Sequence, residues 1–149
     1  MKMLSKYLFG VLFSVSCTHA FAQINDTRQK LYASLPSIIN INKNLLDNLL
    51  SNQAGKEVST VFSADFTFQG TVISNITKYN TMHTVMLRSV ENPESIFQIT
   101  KIPSKENTFS YYGRILNNNA ADGYEIKNNN GEYFLQKFET AKILDPCKF

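Results

Sequence analysis

Val58-Ser-Thr-Val-Phe-Ser-Ala-Asp-Phe-Thr-Phe-Gln-Gly-Thr-Val72 is where the hydrophobic period of this chain changes from helical to two. Phe62, Ala64, Phe66, Phe68 and Val72 share one parity, while Ser63, Asp65, Thr67 and Thr71 share the other. Side chains alternate across a strand, so the stretch reads as one half-buried strand over 58–72, long enough to bend. Further strands read at 81–90, 95–102, 108–117, 123–127 and 132–139, separated by turn formers such as Asn92-Pro93, Pro103-Ser104 and Asn130-Gly131. The last pair is a strong hairpin signal, because a type I′ turn needs positive φ at both central positions. Strands this close together, with no helix between them, pair antiparallel.

Upstream the pattern is helical. Asp26 is placed to cap a short helix with Gln29 at the capping-box position, and Pro36 ends it. Ile38, Ile41, Leu45, Leu46, Leu49 and Leu50 then form an apolar stripe, interrupted by Asn42 and stopped by Gly55. Asn42 is read as the cap of a helix that begins there. The expected fold is therefore α+β: two N-terminal helices (helical 26–54) packed on an antiparallel meander of about six strands (58–139), with a C-terminal tail at 140–149.

The meander carries an internal repeat. Residues 66–74 (FTFQGTVIS) align without gaps on residues 109–117 (FSYYGRILN), and 96–101 align more loosely on 132–137. Two three-stranded units, forming a curved sheet or a barrel, would share an inward face of Phe66, Phe68, Phe109, Tyr111, Gly70 and Gly113. Tyr112 and Arg114 point the opposite way on a strand.

The N-terminus reads as an export signal over 1–22. Lys2 and Lys6 lead a short apolar run that ends in Ala20-Phe21-Ala22, a small-x-small site before Gln23. The mature domain, 23–149, would be periplasmic or secreted, with no transmembrane span. The alternative is a lipoprotein anchored at Cys17, although Ser14 stands where that box wants an aliphatic residue. Lys2 and Lys6 leave with the signal, so 15 basic residues fall to 13 against 12 acidic ones. A net charge this small gives no field to steer nucleic acid. Cys147 is the one mature cysteine, which excludes an intramolecular disulfide.

The motifs of catalysis are missing. His83 is the one mature histidine; it could pair with Cys147 as a thiol dyad, but reads as an ordinary strand residue. The acids are scattered and lack the spacing of a calcium loop. Asn75-Ile-Thr77 matches the glycosylation sequon, a pattern common by chance. No catalytic, cofactor-binding or metal-binding residue is assigned. What leans towards function is a set of interface-type side chains: Tyr112, Arg114, Tyr79 and Tyr124. The expected function is an exported non-enzymatic module that binds another protein, as an inhibitor, an immunity-type protein or an accessory subunit. The alternatives are a small secreted hydrolase using carboxylates or the Cys147–His83 pair, and a carrier of a small apolar ligand.

Overall fold

The computed structural model describes residues 26–104 and 108–142. Eight strands and one helix follow in the order β1 (Ile38–Ile41), α1 (Lys43–Leu50), β2 (Glu57–Ser63), β3 (Phe66–Lys78), β4 (Met82–Ser89), β5 (Ser95–Pro103), β6 (Phe109–Asn117), β7 (Asp122–Asn129) and β8 (Glu132–Glu139). A turn of 3-10 helix at Thr140–Lys142 follows them. All eight strands lie in one antiparallel sheet with the order β1-β8-β7-β6-β5-β4-β3-β2. From β2 to β8 each strand pairs with its successor, and β1 returns to pair with β8. The sheet curls until β1 and β2 approach one another without a hydrogen-bonded ladder, leaving a nearly closed barrel with one seam.

The expected α+β arrangement, two N-terminal helices on a six-stranded meander, is therefore overturned. Three local causes account for it. The amides that a first helix would use are taken elsewhere: Leu31 and Tyr32 donate backbone N–H groups to the carboxylate of Asp122, and Gln29 bridges to Ala120. Asp26 does accept the Arg28 N–H, but as a local turn. Next, Ile38 and Ile41 belong to strand β1, where burial alternates along Ile38–Ile41. Asn42 divides strand from helix; its side chain accepts the Asn44 N–H at 2.9 Å, as a cap does. The helix ends at Leu50, and Gly55 (φ 86°) serves the turn into β2.

The third cause lies in the decisive stretch itself, which is a hairpin and not one strand. Ser63 pairs with Phe66 around a two-residue turn at Ala64 and Asp65. A plain hairpin of this length would place Phe62 opposite Thr67, on the outer face. A bulge between Val61 and Ser63 adds one residue and returns Phe62 to the inner face. Parity is thus preserved through a reversal of direction, and two strands look like one.

Inside, the barrel is filled. Phe66 stacks on Tyr124 with ring centroids 5.5 Å apart, and Phe97 meets Phe62 and Phe68 edge-on at 5.7 and 5.4 Å. Val72, Val85, Leu87, Ile99, Ile115 and Leu135 complete the buried lining. An eight-stranded barrel has an interior that side chains alone can fill. Helix α1 plugs one end with Leu46, Leu49 and Leu50, and the segment from Asp26 to Pro36 crosses the other.

The two repeat units, β3–β5 and β6–β8, are consecutive parts of this one sheet. At Gly113 a Cβ would come within 2.4 Å of the Gln98 carbonyl oxygen and 2.8 Å of Ile126, so the repeated glycine permits close strand approach. The repeat's first aromatic diverges. Phe66 is core, whereas Phe109 is 42% exposed on the rim, under the Lys101 ammonium at 4.5 Å.

Candidate functional site

The plugged end of the barrel gathers one of the two groups of polar side chains that hold its ends. Asp47 sits on the inner turn of α1, and its Oδ1 accepts from Tyr111 Oη at 2.6 Å and from Lys101 Nζ at 2.7 Å. Burial pushes the Asp47 carboxyl up, but the hydrogen bonds from Lys101 and Tyr111 outweigh it and hold the group below the ordinary carboxylate range. Burial, together with the Asp47 carboxylate, raises the Tyr111 phenol far above its usual value. Asn75, turned inward by a bulge in β3, donates its amide to the Leu50 and Asn52 carbonyls at 3.1 and 2.7 Å. Its Oδ1 must then be the acceptor from His83 Nε2 at 2.7 Å, which places a hydrogen on Nε2. These groups form a latch on the helix. The amide of the Asn75 sequon is part of it.

The other end is held in the same manner. Asp122 is buried and receives the Leu31 and Tyr32 backbone N–H groups, while Lys137 Nζ donates to the Tyr32 and Leu35 carbonyls at 2.5 Å each. Arg28 grips Asp26 through two side-chain bonds, and these hold the Asp26 carboxyl at about 2. Tyr124 donates to the Pro36 carbonyl at 2.5 Å, and burial pushes its phenol up to about 12.

The outer face is different. Register places Ile76 (β3), Thr84 (β4), Thr100 (β5) and Tyr112 (β6) in one row across four strands. Ile76 is 48% and Tyr112 55% exposed, with the two threonine hydroxyls 3.0 Å apart between them. Arg114 lies in the next row, its guanidinium on Glu125 at 2.9 Å, and Glu125 also meets Lys127 at 2.7 Å. Burial raises the Glu125 carboxyl, but Lys127 and Arg114 together lower it further. Tyr79 stands at the tip of the β3–β4 turn, 84% exposed, with φ 55°. Its neighbour Asn80 also has φ 55°, and Thr81 N–H closes the turn onto the Lys78 carbonyl at 3.1 Å.

Of the four interface candidates, Tyr79, Tyr112 and Arg114 are therefore on the outside. Tyr124 is fully buried in the aromatic core and is not a surface residue. Ile76 was not legible as a surface residue, because unbroken parity from Phe66 would turn it inward. The bulge between Val72 and Ser74 turns it out. Cys147, Cys17, residues 1–22 expected to form a signal, and most of the 140–149 tail lie outside the described residues. Among the described residues, no three His, Cys, Asp or Glu side chains converge as a metal site, and no helix is long and apolar enough to cross a membrane. Set against family models, characterised proteins and solved structures, the chain matches none.

Proposed function

We propose that this chain is an exported, non-enzymatic protein-binding module whose contact surface is the Tyr79 tip with the adjoining Ile76–Tyr112 row. Tyr79 carries the reading. A bulky aromatic in the left-handed region costs roughly 1–2 kcal/mol that glycine would not incur, and the ring gains no burial in return. A strained, exposed tyrosine three residues beyond exposed Ile76, whose row across the sheet ends at exposed Tyr112, has the chemistry of an interface anchor. Arg114, already oriented by Glu125, borders that row and presents a positioned cation.

The competing readings lack comparable support. The acids and the histidine that a hydrolase would need (Asp47, Asp122, His83) hold the ends of the barrel, and the inner positions that a carrier would leave open are filled by aromatic rings. Export rests on the Ala20-Phe21-Ala22 site behind its short apolar run. The test is capture of partners from the native organism by the purified protein, compared with Tyr79→Asn and Tyr112→Ala. A partner retained by the parent protein and lost from both variants supports the reading. Undiminished capture by both variants rejects this surface, and no capture by any form rejects the module.

A further inference from the structure

The seam of the barrel offers a second kind of contact. Strand β2 has seven residues and β1 four, and the chain leaves β1 at Asn42 to form the helix. Over 58–61 the free edge of β2 therefore faces α1 and not a strand. Between them runs an open groove of about 330 Å³, walled by Asn44, Leu45 and Asn48 on one side and by Ser59 and Val61 on the other.

The hydrogen-bond parity of β2 follows from its partner. Val72 donates to the Lys56 carbonyl and accepts from Gly55, so Val72, Gly70 and Phe68 turn their backbone groups towards β2. Gln69, one residue out of step, accepts from Val90 on the opposite side. Val58 and Thr60 lie opposite Gly70 and Phe68 and exchange bonds with them; Ser59 and Val61 lie opposite Gln69 and Thr67 and do not. The N–H and C=O groups of Ser59 and Val61 thus point into the groove. Asn44 and Asn48, one helical turn apart, add two carboxamides with no partner among the described residues.

We infer that this groove binds an extended, uncharged polypeptide segment, added to the edge of β2 as a further strand. Only a peptide backbone supplies donors and acceptors at the spacing that Ser59 and Val61 present. The groove is walled by amides, hydroxyls and aliphatic carbons, which favours a neutral occupant with aliphatic side chains at alternate positions, one set lying on Leu45. A second copy of this chain is the poorer occupant, because its own β2 edge lies behind its own α1 and the two helices would compete for the same space. The inference builds on the binding-module reading but places this contact away from Tyr79 and Tyr112.

Random linear dodecapeptides displayed on phage and panned on the folded protein supply the probe. Enriched peptides should slow amide exchange at Ser59 and Val61 and bind with at least about tenfold weaker affinity to Val61→Pro, which has no N–H to give. Asn48→Arg, which fills the groove from an exposed helix position, should weaken them equally and guards against a folding defect at Val61. Tyr79→Asn and Tyr112→Ala should leave peptide binding unchanged. The inference is overturned if no peptide is enriched or if both groove variants bind as tightly as the parent. It is equally overturned if the groove variants instead abolish a concentration-dependent dimer, which would make the occupant a second copy. Capture of a native partner that depends on Tyr79 while the peptide experiment fails would leave the module reading intact and remove only the edge site.

Discussion

Replacing Tyr79 with asparagine should make this protein more stable and a poorer binder. The tyrosine holds φ 55° beside Asn80 at φ 55°, and its ring is almost wholly in solvent. The left-handed conformation costs an ordinary L-residue about 1–2 kcal/mol. Asparagine occupies this region far more readily because its short amide bonds locally to the backbone. Little packing is lost, so the expected net gain is about 0.5–1 kcal/mol, a rise in Tm of roughly 2–6 °C for a domain of this size. Glycine is the control. It removes the same strain but adds entropy to the unfolded chain, worth about 0.5–1 kcal/mol, so it should fall between tyrosine and asparagine. Urea denaturation of the three proteins gives the order directly. If Tyr79→Asn is less stable than the parent, the turn is not strained at Tyr79, and the tyrosine is not held there at a cost as an anchor would be.

Three further outcomes follow from the ends and the wall of the barrel. Asn75→Ala removes both donors to the Leu50 and Asn52 carbonyls and should cost about 1–3 kcal/mol, with faster hydrogen exchange confined first to α1. Asp47 has a depressed folded pKa, so its contribution is present above the unfolded value near 3.9 and is lost as pH falls through the lower folded value. Stability measured from pH 6 down to about pH 2 should therefore decline more steeply in the parent than in Asp47→Asn; parallel curves would mean the carboxylate is not held by Lys101 and Tyr111. Gly113→Ala places a methyl group against the Gln98 carbonyl and Ile126 and should destabilise by about 1–3 kcal/mol; an unchanged denaturation midpoint would show that β5 and β6 can part at that point.

The strands after Thr81 were legible because they fall between clear turn formers such as Asn92-Pro93, Pro103-Ser104 and Asn130-Gly131. The type I′ turn at Asn130-Gly131 is found with φ 52° and 92°. What the sequence concealed lies at irregularities. Two bulges, at Val61/Ser63 and Val72/Ser74, shift parity by one residue: the first disguised a hairpin as a strand, the second hid the exposure of Ile76. The helical look of 38–41 arose because Ile38 and Ile41, three residues apart, share a face only in a helix; in β1 they lie on opposite faces, and Ile39 and Ile41 are the buried pair. The decision came from residues about ninety positions away, Asp122 for the N–H groups of Leu31 and Tyr32, and β8 for Ile39 and Ile41. Tyr124 carries a surface-type residue on an inward parity; its hydroxyl reaches the Pro36 carbonyl, a partner that local reading does not disclose.

The pairing of β1 with β8 also sets an order of events. Every other ladder joins neighbours in sequence and can form as soon as both strands exist, at little cost in loop closure. Ile38–Ile41 has no such option, because its partner β8 is the last of the described strands. A chain that emerges N-terminus first therefore remains an open ribbon with a loose leading end until Glu132–Glu139 is free. Only then do Leu31, Tyr32 and strand β1 dock, Asp122 and Lys137 close over them, and the barrel become difficult to unthread. A truncation anywhere before β8 should yield hairpins with an unsealed aromatic face, recognisable by dye binding and by rapid proteolysis from the N-terminal side.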